Sequence, residues 1–182
     1  MVLASASPRR LDLLRQIGIE PARLYTPDID ESPHPQEPPR AYALRMALSK
    51  LIADNAAYVI AADTVVSAGA RILHKTATIT EAETYLRLLS GRRHKVFTGV
   101  AVRAPDGRIA SRVVACVVGF ARLDDAQIRD YLASGEWEGK AGGYAIQGRA
   151  ATFIDFLSGS YSAVVGLPLH ETAALLRGLG YR

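Results

Sequence analysis

The sequence predicts an α/β fold with a mixed sheet flanked by helices, in a single domain spanning residues 1–182, and three observations carry that expectation. Stretches with apolar residues three and four apart, which suit helices, alternate with short alternating or unbroken apolar runs, which suit strands. An Asp106-Gly107 pair stands between two extended runs, the mark of a hairpin and so of at least one antiparallel pairing. A length of 182 residues with 49% hydrophobic side chains supplies the core of one domain.

Val2 to Ala4 read as a short first strand. Ser7 is placed to cap a helix with Pro8 at its first position, Leu11, Leu13, Leu14 and Ile17 give it an apolar face, and Gly18 ends it. Five prolines between Thr26 and Arg40 predict a long surface loop. A second helix follows, with Leu44, Leu48, Leu51 and Ile52 as its buried face and Arg45 and Lys50 on its polar face. Tyr58 to Ala62 read as a buried strand ending at Asp63, continued past a bend by Thr64 to Val66. Thr80 and Glu83 suit a capping box for a helix running to Leu89, with Ala82, Leu86 and Leu89 inward and Gly91 closing it. Alternation from Val96 to Val102, the Asp106-Gly107 turn and the run Ile109 to Phe120 make the hairpin. Asp124 and Gln127 frame another capped helix ending near Gly135, Thr152 to Leu157 read as a strand, and Leu169 to Leu179 as a terminal helix.

The net charge of +4 favours an anionic partner. The basic residues come in short scattered pairs, which suits a small phosphorylated ligand better than nucleic acid. Cys116, the only cysteine, lies in an apolar run and reads as a buried strand thiol, so no disulfide forms within the chain. His34, His74, His94 and His170 share no metal-ligand spacing, which argues against a zinc site. With no secretory leader pattern and no apolar stretch near the roughly 20 residues of a membrane span, a cytoplasmic protein without a membrane partner is expected.

The segment Ser5-Ala6-Ser7-Pro8-Arg9-Arg10 gathers two hydroxyls, helix amino-terminal N–H groups and two guanidinium groups, which are what a polyphosphate needs. It also reads as an ordinary helix cap with solvated arginines. Asp63, an acid ending an apolar strand, sits where α/β sheets place ligand-contacting residues. If Glu31 converges on it, the pair would hold a divalent cation; otherwise Glu31 is a solvated acid of the proline-rich loop. Lys50 and Lys75 are further cations, or surface lysines. Arg92, Arg93, His94 and Lys95 form the densest basic cluster, which suits either an RNA-binding surface or a solvated loop after a helix. In Gly142 to Arg149 the glycines permit close backbone approach and the Gln147 amide suits a base edge; a flexible glycine loop is the plainer alternative. Ser160-Tyr161-Ser162 reads as a phosphate or base contact, or as the cap of the last helix.

Taken as an ordered series, these segments resemble the Maf family of nucleotide pyrophosphatases along nearly the whole chain. The resemblance rests on Leu3 to Arg10, Asp30-Glu31, Lys50, Ala62 to Val66 and Lys75, then on Ser90-Gly91-Arg92 with His94, Thr98-Gly99-Val100, Tyr144 to Gly148 and Gly159 to Leu169. It implies a two-lobed fold of the inosine triphosphate pyrophosphatase type around a cleft, a divalent metal (Mg²⁺ or Mn²⁺), a nucleoside triphosphate substrate and a homodimer. The Gly-Gly-Tyr-Ala-Ile-Gln-Gly stretch looks like the branch acting on dTTP and UTP rather than on 7-methyl-GTP. Carried over by position, Ser5, Ser7, Arg9, Arg10, Lys50 and Lys75 would bind phosphates, and Glu31 and Asp63 would organise the metal. Asp63 would accept the proton, and Arg10, Thr64 and Gln147 would select the base. Two departures stand out: Ala61 where glycine is frequent, and His74-Lys75-Thr76 where Gly-Lys-Pro is usual, the lost proline implying looser backbone around Lys75. A nucleotide-sensing regulator of cell division without turnover is the rival implied by the same resemblance.

Overall fold

A computed structural model describes residues 1–182. In chain order the strands are β1 (Val2–Leu3), β2 (Arg23–Leu24), β3 (Val59–Ala68), β4 (Arg71–Leu73), β5 (Arg93–Arg103), β6 (Ile109–Phe120) and β7 (Ile154–Ser158). The helices are α1 (Pro8–Gln16), α2 (Pro39–Ser49), α3 (Ile79–Leu89), α4 (Asp125–Ala133), α5 (Tyr161–Val165) and α6 (Leu169–Gly178), with a 3₁₀ turn over Arg149–Phe153. One seven-stranded sheet has the order β2-β1-β3-β5-β6-β7, with β4 added to β3. It is mixed, as expected: β1 runs parallel to β2 and β3, while β4 and β7 are antiparallel to their partners. The β5–β6 hairpin is bonded at both ends, Phe120 N–H to Arg92 C=O and Ala104 N–H to Arg108 C=O, with Gly107 at φ 90° in the turn. No helix is long and apolar enough to cross a membrane.

By internal contacts the chain forms two compact units, the first comprising Met1–Thr64, Phe97–Val114 and Ser160–Arg182. Here the period of two along β3 sends Ile60 and Ala62 into a core with Leu13 and Leu14 of α1 and Leu175 and Leu176 of α6. Val59 and Ala61 go to the opposite face with Val2 and Ala4. Helix α1 begins with Pro8 at its first position and ends before Gly18 at φ 75°, as the sequence implies, but the Ser7 side chain makes no capping bond.

Four expectations for this unit need correction. Helix α2 starts inside the proline run, at Pro39, because proline lacks only an N–H that the first turn leaves unbonded anyway. Its buried residues are Tyr42, Ala43, Met46 and Ala47, whereas Leu48 is 38% exposed and Leu51 and Ile52 lie beyond the helix, against Val2, Ala4, Val59 and Ala61. The reason is Gly99: a Cβ there would meet the Ala43 carbonyl oxygen at 2.3 Å, so the helix backbone and its alanines press on the strand and the leucines are left at the rim. Lys50 is not on a polar face; it is the C-cap of α2 and is buried. Finally, β3 is continuous, so Asp63 lies inside the strand rather than at its end.

The second unit comprises Val65–Val96 and Ala115–Gly159. The capping box of α3 is formed by Thr78 and Glu81, two residues ahead of the expected pair. Both pairs share the Thr-x-x-Glu spacing, but Glu81 also accepts the Ala77 N–H, while Glu83 is drawn to Arg87 at 2.9 Å. Asp124 and Gln127 cap α4 as the sequence implies. Arg93 to Lys95 belong to β5 rather than to a loop, and strand alternation turns His94 inward between exposed neighbours. Its Nε2 lies 2.7 Å from the Tyr144 hydroxyl, in an aromatic cluster with Phe120, Phe153 and Tyr131. Thr152 and Phe153 fall in the 3₁₀ turn, and β7 starts at Ile154. Cys116 is buried, with Gly159 packed on its sulfur so that a Cβ would come within 2.9 Å.

Gly99→Ala forces that Cβ against α2 backbone, an overpacking that costs about 1–3 kcal/mol; the urea midpoint is expected to fall with an unchanged m-value. Burial holds His94 down to about 4, well below the 6.5 of an exposed imidazole. Its folded value is depressed, so its contribution is complete above pH 6.5 and is lost as pH falls toward 4. Between pH 7 and pH 5 the protein is expected to lose about 2 kcal/mol more stability than a His94→Gln variant, read by urea denaturation at each pH.

Candidate active site

At the head of α1 the Ser5 hydroxyl accepts two bonds, from the Ser7 N–H and from Arg10 Nη1, both at 3.1 Å. With its acceptor capacity used inside the loop, the hydroxyl proton faces outward as a donor, which suits an anionic oxygen. Arg10 Nε donates to the Gly166 carbonyl at 2.9 Å, so the guanidinium is fixed at two ends. Burial lowers the Arg10 pKa, Asp63 and Glu31 oppose that shift by attraction, and neighbouring Arg9 adds to it by repulsion. Arg10 is thus within electrostatic reach of both Asp63 and Glu31.

At its centre is Lys50, whose Nζ lies 2.6 Å from Asp63 Oδ1 and 2.7 Å from Glu31 Oε1. Lys50 and Asp63 are both 6% exposed, and Glu31 is more open. Alternation along β3 puts Asp63 on the α2 side with Val59 and Ala61, and the C-cap of α2 brings Lys50 to meet it. Glu31 arrives from the proline-rich loop because α2 holds that loop down. The Tyr42 hydroxyl donates to the Glu31 carbonyl at 2.5 Å, and Arg45 bonds the Ser32 carbonyl at 2.9 Å and the Glu37 carboxylate at 2.7 Å. Arg45 pulls the Glu37 carboxyl down to about 2, and burial, followed by the negative charges of Asp63 and Glu31, pushes Tyr42 up to about 12. Tyr42 and Arg45 were not legible as site residues; one helical turn of spacing between them is their only mark in the sequence.

Thr64, one residue on, points to the other face. Its Oγ1 lies 3.1 Å from Thr98 Oγ1, and Thr98 donates its own proton to the Ala163 carbonyl at 2.7 Å. Thr64 must then be the donor to Thr98, which leaves its oxygen able only to accept from anything else. A Cβ on Gly166 would lie 3.6 Å from Arg10 Nε and 3.8 Å from Thr64 Oγ1, so Arg10 and Thr64 flank the same glycine.

Lys75 and Gln147 belong to the second unit. Lys75 is exposed and pairs through its backbone with Ala141 in an antiparallel bridge, and Gln147 is exposed beyond the buried residues Tyr144, Ala145 and Ile146. The stretch around them is not a flexible glycine loop, and the backbone by Lys75 is not loosened by the missing proline. Buried Thr76 donates its hydroxyl to the Trp137 carbonyl at 2.6 Å and its N–H to the Lys140 carbonyl at 3.2 Å, and accepts the Gly139 N–H at 3.0 Å. Ser160 caps α5 through the Ala163 N–H, and Ser162 accepts the Leu169 N–H at the start of α6.

No group of three or more His, Cys, Asp or Glu side chains gathers into a metal cage. The two carboxylates instead converge on the Lys50 ammonium.

Residues 1–179 match the family model described as Maf-like protein. A dTTP/UTP pyrophosphatase of Hyphomonas neptunium is 58% identical over 184 aligned residues, covering 100% of this chain and 96% of that protein. A dTTP/UTP pyrophosphatase of Caulobacter vibrioides is 59% identical, again covering 100% of this chain and 96% of its own length. Among solved structures, a nucleoside-triphosphatase / dITP/XTP pyrophosphatase from Mycobacterium abscessus aligns with a TM-score of 0.40 and 17% identity, over 67% of this chain and 74% of that one. The match over almost every residue and the full-length similarity to these two relatives establish that the chain belongs to the Maf-like family.

Proposed function

We propose that the protein hydrolyses nucleoside triphosphates to the monophosphate and pyrophosphate, acting on dTTP and UTP. The observation that carries this reading is the meeting of Asp63 and Glu31 on the Lys50 ammonium beside the Ser5–Arg10 loop. The names of the relatives from Hyphomonas neptunium and Caulobacter vibrioides support the same substrates.

In the chemistry proposed, a water oxygen attacks the α-phosphorus, the bond from that phosphorus to the α–β bridging oxygen breaks, and pyrophosphate leaves. Asp63 takes the water's proton. Ser5, Ser7, Arg9 and Arg10 grip the phosphates, with Lys50 and Lys75 as further cations that would stabilise charge developing on the leaving oxygens. The charges of Arg10 and Lys50 are balanced by those of Asp63 and Glu31, so a polyphosphate would meet little net attraction from these four groups alone. A divalent cation, Mg²⁺ or Mn²⁺, held by Glu31 and Asp63 answers that balance, and when bound it supplies positive charge to the phosphates and acidity to nearby water. For the base, Thr64 offers an acceptor oxygen, which suits the N3–H that uracil and thymine share, and Gln147 offers an amide with both donor and acceptor.

Incubation of the protein with UTP or dTTP and Mg²⁺ is expected to release monophosphate and pyrophosphate in equal amounts. Binding without release would identify a nucleotide sensor, and a preference for 7-methyl-GTP in a substrate panel would overturn the pyrimidine assignment. Asp63→Asn should lower turnover about 100-fold or more while nucleotide still binds, checked by single-turnover kinetics beside equilibrium titration.

A further inference from the structure

The exposed amide of Gln147 stands at the end of a segment that is otherwise locked. Before it, His94 holds the Tyr144 hydroxyl at 2.7 Å and the Ala145 N–H donates to the Tyr131 hydroxyl at 3.1 Å. A bond from the Gly148 N–H to the Ala145 carbonyl closes the turn around Gln147 at 3.0 Å. After it, the Arg149 N–H donates to Glu136 Oε2 at 2.7 Å. Glu136 lies just beyond α4, and its side chain is 31% exposed, so hydrophobic packing does not explain its place.

Gly148 shows what that place requires. Its φ of −103° is negative, so no left-handed turn calls for glycine here. A Cβ at position 148 would instead lie 2.0 Å from Glu136 Oε2. The missing side chain makes room for the carboxylate to reach the first N–H of the 3₁₀ turn, a donor that Gly148 has no side chain to satisfy.

We propose that Glu136 is a positioning residue for base recognition: it fixes the C-terminal flank of Gln147, so that the amide presents its oxygen and nitrogen to the base edge in one orientation. The proposal rests on the reading of the protein as a pyrimidine triphosphate pyrophosphatase. An amide carries a donor and an acceptor side by side, and a loosely held one serves either pattern; discrimination needs the backbone held to about 0.5 Å. UTP and CTP are the discriminating pair, because they share size and phosphates and differ in the donor and acceptor pattern of one edge.

The test measures kcat and KM for UTP and CTP in the full-length wild type, Glu136→Ala, Glu136→Gln, Gly148→Ala, the Glu136→Ala/Gly148→Ala double variant and Gln147→Ala. Glu136→Ala is expected to lower the UTP-to-CTP ratio of kcat/KM about 10-fold, mainly through KM, with the melting temperature held. Glu136→Gln keeps an oxygen for the Arg149 N–H and should stay near the wild-type ratio. Gly148→Ala, which displaces the same carboxylate, should reproduce the loss, and the double variant should add nothing to it. It also keeps the question open to test if Glu136→Ala fails to fold. An unchanged ratio in Glu136→Ala and Gly148→Ala, with Gln147→Ala strongly impaired, overturns the positioning role and leaves the proposed function standing. So does an equal loss of kcat on both substrates accompanied by a lower melting temperature. An unchanged ratio in Gln147→Ala overturns the base-reading role of that amide and the positioning role with it.

Discussion

The buried ammonium of Lys50, shared between Asp63 and Glu31, is the interaction on which the first unit is organised. Taking Lys50 and Asp63 out of water is costly, and the attraction among the three groups offsets that cost only if every partner arrives in place. Each arrives from a different segment. Asp63 depends on the register of β3, Lys50 on where α2 stops, and Glu31 on a coil that Tyr42 and Arg45 hold against α2. The close approach of α2 over Gly99 is in turn what sets its end beside the strand. A cationic residue at a helix terminus thereby ceases to be a surface group and becomes the joint between loop, helix and sheet.

Much of the fold was legible in the sequence because the signals were local. Pro8 and Gly18 bracket α1, the Asp106-Gly107 turn joins β5 and β6, and Asp124 with Gln127 opens α4. The failures have several causes, of which one is a deciding partner far away in sequence. The spacing of Leu44 and Leu48 favours one face of α2, but the α2 backbone at Ala43 and Leu44 can lie against the strand only because residue 99, more than fifty positions on, is glycine. Thr78 and Thr80 offer equivalent caps until Ala77 and Arg87 choose between their glutamates. A strand of two residues such as β2 carries too few positions to show a period.

The site divides in the same way. The expectation that Ser5, Arg10, Glu31, Lys50 and Asp63 act together came from their ordered resemblance to a family, since each alone has an ordinary reading. The groups that hold them were not visible at all. Thr98 is an unremarkable strand residue until its bond to the Ala163 carbonyl fixes the direction of the Thr64 hydroxyl. Thr76, where a proline is usual, keeps the neighbouring backbone in place by three hydrogen bonds instead of a ring. Rigidity can be reached by either means, and only the folded contacts distinguish a loosened position from a differently anchored one.

Strand β3 puts Asp63 on one face of the sheet and Thr64 on the other, one residue apart. The strand therefore acts as a ruler. Adding or removing a single residue between Val59 and Asp63 would exchange the two sides, presenting the carboxylate to Thr98 and the hydroxyl to Lys50. Changes in chain length are consequently better tolerated in the turn between β5 and β6 than within this strand. For design, the same arithmetic means that the acid and the hydroxyl can be altered one at a time by substitution, but cannot be moved independently along the chain.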